Sequence, residues 1–218
     1  MTMTTIKHHL NEQLMIAYAA GNLPEAFNLV VATHISMCDD CRAALAAYEA
    51  IGGEIVDDCD CEALSQGAFA QCMSRIAAAP VAVETAPRQP ARTDIPAPLL
   101  TYMPGGLESV AWRKIGGGVS QMILPTAQGA TVRLLKIPGG TAVPDHGHRG
   151  MELTMVLKGA FADESDRFAE GDIEIANQDL THTPVAEAGS DCICLAATDA
   201  PLRFSAFLPR VAQRFLKI

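Results

Sequence analysis

Two groups of residues have the types and spacing to hold a metal ion. In HISMCDDC, His34, Cys38 and Cys41 stand four and then three residues apart. Residues i and i+4 share a helix face, which sets His34 beside Cys38, and a Cys-x-x-Cys turn folds two sulfurs around one ion. Zinc takes thiolate and imidazole donors in a tetrahedron, so a closed site needs a fourth ligand. His8 and His9 are the only other histidines in the N-terminal third, and either can supply it. A metal-free redox Cys-x-x-Cys is the competing reading, but it belongs to a strand–helix setting that this segment lacks. The second group lies in GTAVPDHGHRGMELTMVLKG, residues 140–159. His146 and His148, two apart on extended chain, point to one side of a sheet. Glu152 can join them from the next strand, and a third histidine from a neighbouring strand would complete the set.

The elements that must position these residues have two textures. Asn11 can cap a first helix in which Leu10, Leu14 and Tyr18 recur every four residues and which Gly21 can end. Pro24 suits the first turn of a second helix through AFNLVVATHISM. A third covers roughly CRAALAAYEAI and stops at Gly52-Gly53, and a fourth runs from near Asp60 to about Ala78. The fourth carries Leu64, Ala68, Cys72 and Ile76 every four residues, with Phe69 and Met73 alongside. That stripe either closes a helical bundle or docks on a partner. Residues 78–98 contain five prolines and read as a semi-extended connector. Beyond it, ATVRLLKI, ELTMVLKGAFAD, DIEIA and DCICLAA are short alternating or fully apolar runs punctuated by glycine, which predict antiparallel strands of a sandwich or barrel. The expected organisation is a helical domain over 1–79, a linker over 80–98 and an all-β domain over 99–218.

At 218 residues the chain can bury one large core or two small ones. No run of about 20 apolar residues suggests a membrane span, and the start lacks a secretory apolar core, so the expected location is the cytoplasm. Seven cysteines, in close pairs plus Cys72, favour metal or redox chemistry over a disulfide framework. Cys192 and Cys194 share one side of a strand and read as small core residues, with oxidant sensing as the sharper alternative. Cys59 and Cys61 flank Asp60 with no cation beside them to lower their pKa. Of the net charge of −9, residues 1–79 carry −7, three cationic residues against ten acidic ones. Such a surface repels nucleic acid and suits a basic protein partner, or simply keeps a small domain soluble.

HHLNEQLMIAYAAGNLPEAFNLVVATHISMCDDC resembles the zinc-binding anti-sigma domain of bacterial regulators over roughly residues 5–78. The resemblance implies zinc ligands His9, His34, Cys38 and Cys41, with His8 the alternate. It also implies binding of an extracytoplasmic-function sigma factor, gripped by the helical core and the fourth helix (Leu64, Ala68, Phe69, Cys72 and Ile76). Residues 140–159 match the first cupin motif. The second motif keeps Gly171 and His182 in register, while Asn177, Asp179 and Ala186 replace its usual proline, glycine and asparagine. This implies an all-β cupin (double-stranded β-helix, jelly roll) whose metal ligands are His146, His148, Glu152 and His182. Three imidazoles and a carboxylate suit zinc, iron, manganese or nickel, with zinc favoured by the resemblance. Together the two halves resemble the ChrR family of anti-sigma factors. That implies a non-enzymatic cytoplasmic regulator with two zinc sites, a one-to-one sigma complex, possible self-association when free, no direct nucleic acid binding, and a cupin input responding to singlet oxygen or related oxidants. The alternative is a metal-dependent, dioxygenase-like cupin enzyme with an accessory zinc domain, for which no acid–base set beyond the four ligands is visible.

Overall fold

The computed structural model describes residues 5–79 and 94–204. Four helices come first: α1 (Glu12–Ala19), α2 (Glu25–Met37), α3 (Asp39–Asp57) and α4 (Ala68–Ala78). Asn11 caps α1, its side chain accepting from Leu14 N at 2.9 Å. Pro24 stands just before α2, its carbonyl accepting from Asn28 N. Cys38 leaves the helical conformation at φ −107°, ends α2 and caps α3, its sulfur accepting from Cys41 N at 3.4 Å. One residue therefore fixes the angle between two helices and belongs to the metal-type cluster.

Two expectations need correction. The third helix does not stop at Gly52-Gly53 but continues to Asp57. A helical glycine costs about 1 kcal/mol relative to alanine, which weakens a helix without breaking it, and neither glycine takes a positive φ. The fourth helix does not begin near Asp60. Gly67 lies at φ 90°, a left-handed conformation that no helix passes through, so α4 starts at Ala68 and Leu64 lies outside it.

The rest is β structure: β1 (Arg113–Gly116), β2 (Val119–Ile123), β3 (Thr131–Ile137), β4 (His146–Gly147), β5 (Glu152–Lys158), β6 (Ala160–Ala162), β7 (Arg167–Ala169), β8 (Ile173–Ala176), β9 (Thr181–His182), β10 (Val185–Ala186), β11 (Cys192–Thr198) and β12 (Arg203–Phe204). A six-stranded antiparallel sheet runs β1-β2-β3-β11-β5-β8, and two three-stranded sheets, β10-β6-β7 and β12-β4-β9, complete the jelly roll. In β4–β9 the register sets His146 opposite His182.

Both faces of the large sheet are buried at β11, which explains why CICLAA is apolar throughout. Cys192 and Cys194 of β11 and Val156 of β5 pack inward with Phe161 and Phe168. Their alternates Ile193, Leu195, Leu153 and Met155 point outward and join a core shared with Leu14, Phe27, Val30, Val31 and Ile35. Helix α2 is what covers them, buried at eight of its thirteen positions. Ile95 and Leu99 enter the same core, so packing begins inside the stretch read as connector; residues 80–93 lie outside the described residues. Trp112 packs at the edge of this core. Among the described residues no helix is long and apolar enough to cross a membrane.

Candidate metal centres

His9, His34, Cys38 and Cys41 converge: one donor atom from each lies within 4.8 Å of the others. His9 Nδ1 is 3.3 Å from Cys38 Sγ and 3.8 Å from Cys41 Sγ, and His34 Nε2 is 3.3 Å from Cys41 Sγ. Bonds of 2.0–2.3 Å to a tetrahedral zinc ion separate nitrogen and sulfur ligands by about 3.6 Å, so the donor set and its spacing fit such an ion. Burial pushes the His34 imidazole down to about 4, which leaves it neutral and able to ligate. Burial pushes the Cys41 thiol up to about 11, so without a cation it keeps its proton.

The surroundings of this cluster come from the β domain. His34 Nδ1 lies 2.9 Å from the carbonyl of Gly171, to which it donates when Nε2 faces the sulfurs. Gly171 follows β7 at φ 92°, and a side chain there would strike Ile6. The next residue, buried Asp172, accepts from Lys7 N at 2.6 Å and His8 N at 3.0 Å through one oxygen, and from Ala169 N at 2.9 Å through the other. These bonds hold the Asp172 carboxyl below the usual range although burial opposes them. His8 faces away from the sulfurs, its ring 4.4 Å from Phe168 and its Nε2 3.1 Å from Asp166. The structure therefore separates the two candidates: His9 meets the cysteines and His8 meets the barrel.

Inside the barrel, His146, His148 and His182 form a second convergent set. His148 Nε2 and His182 Nε2 are 3.4 Å apart, close to the roughly 3.3 Å expected for two imidazoles on one zinc ion. His146 Nδ1 is 2.8 Å from the Pro144 carbonyl, which leaves Nε2 for the cluster. Glu152 is not in the tight set; its carboxylate is 3.8 Å from His148 Nδ1. Two acids absent from the sequence reading support His182: Asp163 Oδ2 at 2.7 Å and Glu174 Oε1 at 3.0 Å from Nδ1. Burial pulls His182 down, but these two acids outweigh it and hold the imidazole up at about 9. Burial lifts Glu174 to about 7. The Asn177 turn survives the loss of its usual proline and glycine because Asn177 Oδ1 accepts from Asp179 N at 2.9 Å. Cys192 and Cys194 are buried with their sulfurs 3.5 Å apart.

The predicted partner stripe lies outside, with Ala68 its one half-buried member. No residue of α4 is buried, so it closes no bundle. Ala68, Phe69, Cys72 and Ile76 all lie on it, Phe69 at 77% exposure, while Leu64 is 84% exposed in the loop between α3 and α4. Sequence reading missed Ile55 and Val56, exposed on the last turn of α3, because the helix was expected to end at the glycines; Ile51, just before them, is exposed too.

A small helical unit carrying a thiolate–imidazole cluster, docked on a cupin with its own histidine cluster and exposing an apolar helix, has the build of a two-module regulator. Residues 105–201 match the family described as ChrR cupin-like domain. The chain is 58% identical over 214 residues to the anti-sigma-E factor ChrR of Cereibacter sphaeroides, spanning 98% of this chain and 100% of that one. It therefore belongs to the ChrR family of anti-sigma factors. It is also similar to the crystal structure of Rhodobacter sphaeroides SigE in complex with the anti-sigma ChrR, with a TM-score of 0.79 and 57% identity over 89% of this chain and 100% of that chain. An RmlC-like cupin from Ralstonia eutropha is 22% identical with a TM-score of 0.38 over 43% of this chain and 65% of its own.

Proposed function

We propose that the helical domain binds an extracytoplasmic-function sigma factor and holds it inactive, while the cupin domain receives the signal for release. The observation that carries this reading is the seating of the helical domain on the barrel. Helix α2, which presents His34, covers the outer face of the large sheet, and Gly171 of the barrel accepts from the same His34 ring. Zinc at His9, His34, Cys38 and Cys41 would cross-link the strap before α1, residues 5–10, to the α2–α3 junction and so stabilise the surface that grips sigma. A metal at His146, His148 and His182, with Glu152 as its carboxylate ligand, would form the input site. The signal in this reading is oxidative stress, singlet oxygen or a related oxidant.

Support comes from the whole-length relative, named an anti-sigma-E factor, and from its structure in complex with SigE. The exposed apolar residues of α3 and α4 are what a chain built to clamp a partner would leave uncovered. The same relative favours a regulator over the cupin enzyme.

Co-purification with the sigma factor tests the reading. His34→Ala or Cys38→Ser should lose N-domain zinc and the partner together. His148→Ala should keep the partner and fail to release it on oxidant treatment. Equal loss of the partner in all three variants would refute this division of labour.

A further inference from the structure

The barrel interior holds a charge that metal binding alone does not use. Arg133 of β3 is 4% exposed, and it lies on the inward face with Leu135 and Ile137, opposite to the outward Val132 and Leu134. Among the described residues its one side-chain hydrogen bond runs from Nη1 to Gln121 Oε1 at 3.3 Å, and it forms no ion pair. A guanidinium has five N–H donors and stays charged, so burying it with one neutral partner is costly unless another acceptor arrives. Across the sheet Arg133 is in register with Ala196, and Ala196 with Thr154, so only a methyl group faces it from β11. Thr154, next in that row, donates to Glu152 Oε1 at 3.0 Å, and the other Glu152 oxygen lies 3.8 Å from His148 Nδ1, which ties this corner to the histidine cluster.

We propose that Arg133, steadied by Gln121, forms with the histidine-held metal a binding site for a small organic carboxylate inside the cupin barrel. The proposal rests on the reading that the histidine cluster holds a metal and that the barrel receives the signal. A carboxylate is the match because its two in-plane oxygens fit the guanidinium fork, while a cupin-type metal with an open position accepts one of them. The ligand must be small, since the other end of the interior is filled by Val119, Ile137, Val156 and Phe161. Occupancy would satisfy a buried cation and so report a metabolite's presence through the barrel. The competing account is that Arg133 only offsets the charge of Glu152.

The test is calorimetric titration of the full-length, zinc-loaded chain, its metal content measured first, with acetate, pyruvate and succinate. Saturable heat with at least one of them is expected, Arg133→Gln should weaken it at least tenfold, and Arg133→Lys should fall between. If the variants do not fold, the neutral amide of the binding acid is titrated into the unaltered chain, where binding at least tenfold weaker is expected. A metal-loaded barrel that gives no saturable heat with any of the three acids, or an amide that binds as well as its acid, overturns the proposal alone. A barrel that takes up no metal overturns the reading beneath it as well.

Discussion

Removing the Asp172 carboxylate should loosen the grip of the cupin on the N-terminal metal cluster. Asp172 is buried, and its Oδ1 receives the amides of Lys7 and His8 at 2.6 and 3.0 Å. Hydrogen bonds to a charged group contribute about 1.5–3 kcal/mol each. Asp172→Ala also removes the acceptor of Ala169 N at 2.9 Å, and because the freed strap amides can turn to water the lower end applies, so the three bonds together account for about 4.5 kcal/mol. For a chain of this size each kcal/mol moves the melting temperature by roughly 2–4 °C, which predicts a fall of about 9–18 °C. His9 is the next residue of the strap, and Gly171, which accepts from His34, adjoins the altered residue. Zinc release to a chelator at 25 °C should therefore speed up by about 10–100-fold, the usual range for losing a ligand's supporting partner.

Calorimetry and chelator-driven release on the same samples separate the two effects. General destabilisation lowers the melting temperature but leaves release well below the melt unchanged. If Asp172→Ala melts several degrees lower yet gives up zinc at the native rate, the cupin does not support the N-terminal cluster, and the coupling argued from Gly171 and Asp172 is wrong. The sign with pH is fixed too. The folded-state pKa of Asp172 is depressed, so its stabilisation is fully present above about 4, where the unfolded carboxylate ionises, and is lost as pH falls through the lower folded value.

Asp163→Asn should cost about 10–100-fold in cupin metal affinity, measured by competition with a chelator, because it removes the carboxylate at 2.7 Å that orients His182; N-domain zinc should be unchanged. Phe69→Ala should leave the unfolding free energy within about 0.5 kcal/mol of native, since the ring is 77% exposed, while weakening sigma binding by at least about tenfold in a pull-down titration. Metal uptake at the N-terminal cluster should strengthen by about tenfold per pH unit between pH 6 and 8 from Cys41 alone, because a thiol near 11 must release its proton to ligate; a pH-independent affinity would contradict that protonation state.

What the sequence made legible was what chain proximity enforces. His34, Cys38 and Cys41 sit within eight residues, and His146 and His148 share a short extended run, so their convergence needs only local geometry. The strand pattern was legible for the same reason, through the period-2 alternation of segments such as ATVRLLKI. Asp163, Glu174 and Asp172 were not, since each reaches its partner across strand order that spacing does not encode. The choice between His8 and His9 likewise depended on which histidine the barrel would take for itself. The two helix boundaries failed where glycine was weighed by type alone. Gly52 and Gly53 sit in ordinary helical conformation and let α3 continue, whereas Gly67 at φ 90° blocks α4 from starting earlier.

The buried outer face of the large sheet explains why the two clusters belong to one mechanical unit. A cupin sheet with one face on solvent would leave Leu153, Met155, Ile173 and Leu195 exposed; here α2 covers them, so the metal-site helix is also part of the barrel's wall. Three consecutive residues then touch both clusters. Asp172 fastens the strap that carries His9, Ile173 N donates to the His8 carbonyl at 3.4 Å while its side chain enters the shared core, and Glu174 faces inward to His182 at 3.0 Å. Strand alternation places Ile173 and Glu174 on opposite faces, so a shift of β8 that alters one contact must alter the other. A side-chain change confined to His182 would stay local. One that displaces Glu174 along with its backbone would act on the strap within two residues, without any longer chain of contacts.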